Sequence, residues 1–431
     1  MSWVFISLVI LAGITGCSNS NGETKEETKN QEINLKFIWW GKEQRKEDTL
    51  KVIELYKKDH PNVNIITEDY SVKEEVAVQL AIETADQNTA DIIQGDYDFI
   101  FNYVNRDLIE PLGPFIENKV LSTSDIDSFS IASGIKKDEL YALSIGLNSE
   151  AFIYDPSFFQ AAGITVPTED YNIDDLYTSL LELKQNIKSP DFYPLGNMFS
   201  VNYYLRTQGV SMYNAEGTGL GYEDDKIVAD YLSIYKKWVD EGLLSKNSMQ
   251  EASIDENHPV ITGKSAFYYG YSNNSAVLSK IAGHTVKLLP LPQITENEGR
   301  FIKPSQFLAV SSYSKYPEEA AKFINFFINN VEANDILNGE RGVPVSNKIS
   351  SRVSEKLDEA GKQQYVLLDY LKTHSSPIDP PSPSNAIVVN NAYQSTLKDV
   401  LSGNITAEQG AQQYRAEATA ILQGKGEVSS K

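Results

Sequence analysis

The chain has a single cysteine, Cys17, and only four histidines in 431 residues. One cysteine excludes a disulfide framework and a cysteine-rich metal centre. His60, His258, His284 and His374 lack the H-E-x-x-H spacing of a zinc helix. Positive charge is scarce too: 38 Lys and Arg stand against 59 Asp and Glu, for a formal net charge of −21. Such a chain lacks the basic face that neutralises nucleic-acid phosphates. No G-x-S-x-G elbow occurs. Gly263-Lys264-Ser265 has His258 where a phosphate loop needs its first glycine. Gly217-Thr218-Gly219-Leu220-Gly221 does not fit G-x-G-x-x-G. No cofactor, metal or nucleic-acid partner is therefore expected. Paired carboxylates for glycoside hydrolysis stay open, because their spacing in space is not written in sequence.

Long hydrophobic runs are also missing. Trp3 to Ala12 is apolar but shorter than the roughly 20 residues a membrane span needs. It has the size of a signal-peptide core, although Met1-Ser2-Trp3 carries no Lys or Arg. Ile14-Thr15-Gly16-Cys17 resembles a bacterial lipobox, in which the cysteine is lipidated and becomes the new N-terminus. Ser18 to Glu32 contains no hydrophobic residue and reads as a solvated tether. Residues 1–17 are thus expected to be a lipoprotein signal and 18–32 a leash. The body would sit on the extracytoplasmic face of a bacterial cell membrane, anchored through Cys17.

What is present from residue 33 onward is a globular composition, 41% hydrophobic and 23% charged over the whole chain. Its length allows two large domains or three small ones. Ile33 to Trp40 reads as a strand ending at Gly41. Glu43 to Lys58 carries Leu50, Ile53 and Tyr56 at helical spacing. Val63, Ile65 and Ile66 suggest a strand, Ser71-Val72-Lys73-Glu74 a capping box, and Asp91 to Asp96 a buried strand. This βαβαβ order predicts an α/β fold with an open, largely parallel sheet, whose ligands bind beyond the carboxyl ends of strands. Trp39, Trp40, Gly41, Asp96 and Tyr97 fall on that rim. Helices are expected over Ile227–Glu241, with Trp238 in the core, from Pro317, and from the capping box Thr406-Ala407-Glu408-Gln409.

Tyrosine is abundant, with 24 copies, and it clusters with asparagine at Asn197–Tyr204 and Tyr268–Asn274. Rings cover the apolar faces of sugars while amides and carboxylates bond their hydroxyls, so both segments are saccharide-site candidates. The order of several stretches resembles a known family. Phe37-Ile38-Trp39-Trp40-Gly41 with Arg45, Thr89-Ala90-Asp91-Ile92-Ile93-Gln94, and Tyr141 to Gly146 are three of them. Phe152-Ile153-Tyr154-Asp155 with Ala162-Gly163-Ile164 and Pro167, then Gly263-Lys264-Ser265-Ala266, and Arg341 to Ser346 complete the set. From about Leu35 to Leu422 the chain resembles the family 1 extracellular solute-binding proteins, the sugar-capturing lipoproteins of ABC importers. Ala90 and Ser144 stand where that family more often has proline.

The resemblance implies a two-lobe, periplasmic-binding-protein-like clamp of type II with the ligand cleft between the lobes. One lobe is expected at 33–143 plus 303–345 and the other at 144–302 plus 346–431. Candidate ligand contacts are Trp40, Arg45 and Asp96 from the first lobe and Asn148, Asn202, Tyr203, Tyr271 and Asn273 from the second. Ser305 and Arg341 lie near the crossovers, as ligand contacts or as parts of a hinge. The implied partners are a sugar or oligosaccharide, the transmembrane permease subunits and the membrane, with the protein as a monomer and not an enzyme. The rival readings are a secreted carbohydrate-active enzyme, a receptor for a non-sugar solute, and a sensor lipoprotein.

Overall fold

In the computed structural model, residues 32–86, 88–249 and 252–424 are described. The signal segment, Cys17 and all of the tether but Glu32 lie outside them. Ile33–Trp40 is the spine of the first sheet, parallel to Val63–Tyr70 on one side and to Ile92–Gly95 on the other. Phe307–Val310 then enters antiparallel between Ile92–Gly95 and Leu143–Ser144, giving five strands. The expected parallel βαβαβ unit is therefore present, with an antiparallel insertion from much later in the chain.

Both faces of this sheet are covered, so its central strand is apolar on both sides. Leu35, Phe37 and Trp39 face the helices Glu43–Asp59 and Pro317–Asn329. There Phe37 and Tyr56 meet Phe323 edge-on, with ring centroids 5.7 and 5.1 Å apart. Ile38, Ile93 and Phe307 face Val76 and Leu80 of Lys73–Ala85 and Ile100 and Phe101 of Tyr97–Asn105. The helix Lys73–Ala85 begins one residue later than its sequence suggests. Val72 is the N-cap, and Glu75, not Glu74, accepts the Ser71 and Val72 amides.

The second sheet is antiparallel, with Glu150–Tyr154 between Lys287–Leu289 and Phe267–Tyr271. Its core is helical: Leu176, Leu180 and Leu183 from Ile173–Asn186, and Tyr231, Tyr235 and Trp238 from Asp225–Asp240, are buried with it. Ala386–Ser402 and Ala407–Leu422 pack on the same core. The Thr406 box forms as expected: Gln409 N donates to Thr406 Oγ1 at 3.2 Å, and Thr406 N to Gln409 Oε1 at 2.9 Å.

Three segments meet between the two α/β units. Leu147–Asn148 pairs with Lys303–Pro304, and Leu147 exchanges backbone hydrogen bonds with Val343 at 2.8 and 2.9 Å. Gly342 sits here at φ +102°, where a Cβ would lie 2.5 Å from Asn148 Oδ1. One stretch departs from the expected division. Leu367, Leu368 and Leu371 bury themselves in the first core although they fall within 346–431. Their helix, Glu359–Leu371, presents this stripe to the first unit while its N-terminal half lies beside Asn274–Ala282 of the second. Among the described residues, no helix is long and apolar enough to cross a membrane.

Candidate functional site

A cavity of about 640 Å³ lies between the two units. The first unit contributes Lys73 and Asp98 to its lining. Both belong to helices that leave the carboxyl ends of the parallel strands, the position an open α/β sheet reserves for ligands. Asp96 fixes this corner. Its Oδ1 accepts the Asp98 amide at 2.9 Å, capping the helix, and its Oδ2 holds Lys73 Nζ at 3.2 Å. The Lys73 ammonium also lies 5.3 Å over the Phe99 ring.

The second unit supplies most of the wall. Glu150 and Tyr271 face each other across the antiparallel pair, and Phe152 faces Tyr269 two residues on. The cavity takes Glu150, Tyr269 and Tyr271 from that ladder. Tyr271 keeps 40% of its surface exposed, with Lys303 Nζ 4.9 Å over its ring. Glu150 Oε2 is buried with no hydrogen-bond partner among the described residues. Burial pushes the Glu150 carboxyl above the usual carboxylate range, while the Tyr269 hydroxyl and the Lys303 charge pull it back. Asn197 is spent on structure: its side chain exchanges hydrogen bonds with the Tyr269 backbone at 3.0 and 2.8 Å. Asn202, Asn390 and Gln394 bring amides to the lining, and Ile387, 74% exposed, brings an apolar edge. The floor is aromatic, with Tyr231, Tyr235, Tyr393 and Tyr414.

A proline-rich strap, residues 375–383, joins the two units beside this cavity. Arg206 is buried and fans its guanidinium over the strap. Nη1 donates to Asp379 Oδ1 at 2.7 Å, and Nη2 to Ser376 Oγ at 2.6 Å and to the Pro377 carbonyl at 2.9 Å. Nε donates to the Gly299 carbonyl at 2.8 Å, and the plane stacks 4.8 Å from the Phe301 ring. From the first unit, the Tyr97 hydroxyl donates to the Asp379 carbonyl at 3.0 Å. Asp98 Oδ1 accepts the Ser382 amide, also at 3.0 Å. Ile378 packs into the first unit's core.

Of the residues singled out from sequence, Asn202 and Tyr271 line the cavity, and Asp96 holds its corner. Trp40 is half-buried against the core on the same face of the first sheet, and its carbonyl accepts Gln94 Nε2 at 3.2 Å. Trp39 of the expected rim is a fully buried core residue. Four other candidates lie away from this cavity. Tyr203 is 1% exposed, with its hydroxyl on the Pro292 carbonyl at 2.6 Å, and it packs in the core. Arg45 is committed to Glu340, with Nε at 3.0 and 2.9 Å from the two carboxylate oxygens. Arg341 is 5% exposed, donates to Thr49 Oγ1 at 2.7 Å and lies 5.4 Å from the Phe327 ring. Burial, aided by the Arg45 charge, lowers its pKa to about 9. Asn273 lines a different cavity of about 870 Å³, with His284, Asn338–Glu340 and Gln364 and without Phe, Tyr or Trp. Asn148 and Ser305 belong to the crossing segments, where Asn148 Oδ1 and Ser305 Oγ are buried without partners among the described residues.

Sequence reasoning missed Glu150, Arg206 and the lysines Lys73 and Lys303. Among the described residues no group of three or more His, Cys, Asp or Glu is placed to hold a metal ion.

Comparison with known proteins agrees with this architecture. Residues 41–333 match the family model of the bacterial extracellular solute-binding proteins. A family 1 extracellular solute-binding protein from Alicyclobacillus acidocaldarius is similar at 27% identity. The match covers 91% of this chain and 99% of that one, with a TM-score of 0.78. A periplasmic oligogalacturonide-binding protein from Yersinia enterocolitica is 22% identical over 92% of this chain and 100% of that one, with a TM-score of 0.73. An ABC substrate-binding protein from Listeria monocytogenes, in complex with cycloalternan, is 15% identical over 91% and 99%, with a TM-score of 0.74. The two-lobe clamp with a cleft between its lobes, and the family-model match over most of its length, place the chain among the bacterial extracellular solute-binding proteins.

Proposed function

We propose that the protein captures a sugar or oligosaccharide in the cleft between its lobes and delivers it to the permease of an ABC importer. The observation that carries this reading is the lining itself. Tyr269 and Tyr271 offer ring faces, while Asn202, Asn390, Gln394, Asp98 and Glu150 offer amide and carboxylate groups to a hydroxyl rim. The amides favour a saccharide over a polyamine, which would ask for carboxylates and rings alone. The Yersinia and Listeria relatives, whose names record oligogalacturonide and cycloalternan, support the same class. A ligand touching both lobes stabilises the closed state and shifts the population toward it. No bond of the solute is made or broken. The lobes divide near 143–148 and 303–306 and again at the proline-rich strap, with Glu359–Leu371 beside both. Cys17 carries the lipid anchor on the outer face of the cell membrane.

Two measurements test this. Thermal shift and tryptophan fluorescence of residues 33–431 against a saccharide panel should show a raised melting temperature for one sugar class, with the sugar recovered intact after overnight incubation. Shifts with amino compounds alone would end the saccharide reading, and a consumed sugar would end the receptor reading. Palmitate labelling of the full chain in cells should be lost in Cys17→Ser.

A further inference from the structure

The cleft's charges decide which sugars it admits. We propose that Glu150 makes this cleft selective for uncharged sugars, excluding those that carry a uronic carboxylate. This rests on the saccharide reading above.

A uronate needs a cation with free donors, because a buried carboxylate without a partner is costly. The arginines among the sequence candidates are committed elsewhere. Arg45 forks on Glu340, and Arg341 is buried against Thr49 and Phe327. Arg206, the guanidinium nearest the strap, spends Nε, Nη1 and Nη2 on Gly299, Asp379, Ser376 and Pro377. Two lysines flank the cavity. Lys73 is paired with Asp96, and Lys303 lies over Tyr271 within the field of Glu150.

Against them stand carboxylates aimed inward. Asp98 lines the cavity with one oxygen fixed by the Ser382 amide. Glu150 lines it with Oε2 buried and unpartnered among the described residues. A neutral sugar supplies hydroxyl donors and has apolar faces for Tyr269 and Tyr271. A uronate would instead set a further negative charge beside Asp98 and beside Glu150, whose burial already disfavours a charge there, and such a juxtaposition costs heavily in specificity. Glu150 sits opposite Tyr271 in the strand register, so ring face and acceptor address one sugar unit.

The test is calorimetric titration of the wild-type body at pH 7 with matched disaccharides that differ only in oxidation at C6. Galactobiose against digalacturonic acid and mannobiose against dimannuronic acid are suitable pairs. The neutral member of a binding pair should bind about tenfold tighter or more. Glu150→Gln should weaken the neutral sugar severalfold and tighten the uronate, a reversal that a merely structural role would not produce. A uronate that binds wild type as tightly as its neutral partner overturns the proposal and leaves the saccharide reading standing. Silence from every sugar, with the folded body intact by thermal melt, overturns both. The wild-type comparison needs no variant, so misfolding of Glu150→Gln would not shield the proposal.

Discussion

The Tyr97 hydroxyl donates to the Asp379 carbonyl at 3.0 Å, joining residues 282 positions apart in sequence, one in the first unit and one in the strap. Asp379 is held from its other side by Arg206 of the second lobe. The strap is thus fixed to the second lobe by its own arginine and laid across the first.

Replacing that arginine should therefore be felt throughout the molecule. Arg206→Met leaves the Asp379 carboxylate, the Ser376 hydroxyl and the Gly299 and Pro377 carbonyls short of a donor in a mostly buried place. The expected loss is about 3 kcal/mol. It should appear as a lower urea midpoint at unchanged slope. A loss below about 0.5 kcal/mol would mean that the strap holds itself.

Tyr271 and Tyr203 should part company. Tyr271→Ala removes an exposed ring from the cleft and should cost about tenfold in sugar affinity with little change in melting temperature. Tyr203→Phe removes a buried hydroxyl from the Pro292 carbonyl and should cost about 1 kcal/mol of stability with affinity unchanged. Titration and thermal melts on both variants check this, and the opposite pattern would move the cleft.

His258 gives a pH signature. It is fully buried, and its Nδ1 accepts the Val260 amide at 3.3 Å, which requires the neutral ring. Burial lowers its pKa to about 4. The unfolded chain takes up this proton near pH 6.5, so between about 6.5 and 4 the unfolded state binds more protons. The stability due to His258 is complete above about pH 6.5 and is lost as pH falls toward 4, by about 3 kcal/mol at the low end. His258→Gln should flatten the stability–pH curve in that window relative to wild type. Parallel curves would show that the ring is protonated in the fold.

Gly342→Ala should destabilise the crossing strands. The residue is at φ +102°, and a Cβ would meet Asn148 Oδ1 and the Leu147 carbonyl at 2.5 and 2.6 Å. Strain there costs about 1–3 kcal/mol. A melting temperature within a degree of wild type would show that the segments can part freely.

The fold was largely legible because its signals are local. Ile33–Trp40 is a strand by composition, and Trp238 is core by helical spacing. Tyr271 and Asn202 were legible as aromatic and amide residues beside strand and helix ends. Arg206 was not, because its meaning comes from partners that lie 93 to 173 positions along the chain. Glu150 was one acid among 59 Asp and Glu, and only its register opposite Tyr271 sets it apart. Arg45 and Arg341 misled because a lone arginine near a rim looks available until its acceptor is seen.

The antiparallel strand Phe307–Val310 fills the gap between Ile92–Gly95 and Leu143–Ser144. The first sheet therefore stays split until residue 310 has been made. The second core waits longer still, for Val389 to Leu422. Neither core is complete on a growing chain until most of the sequence is out, which works against one lobe folding fully before the other is made. A polypeptide that completes both halves so late remains threadable for most of its synthesis, as a chain bound for the far side of a membrane must.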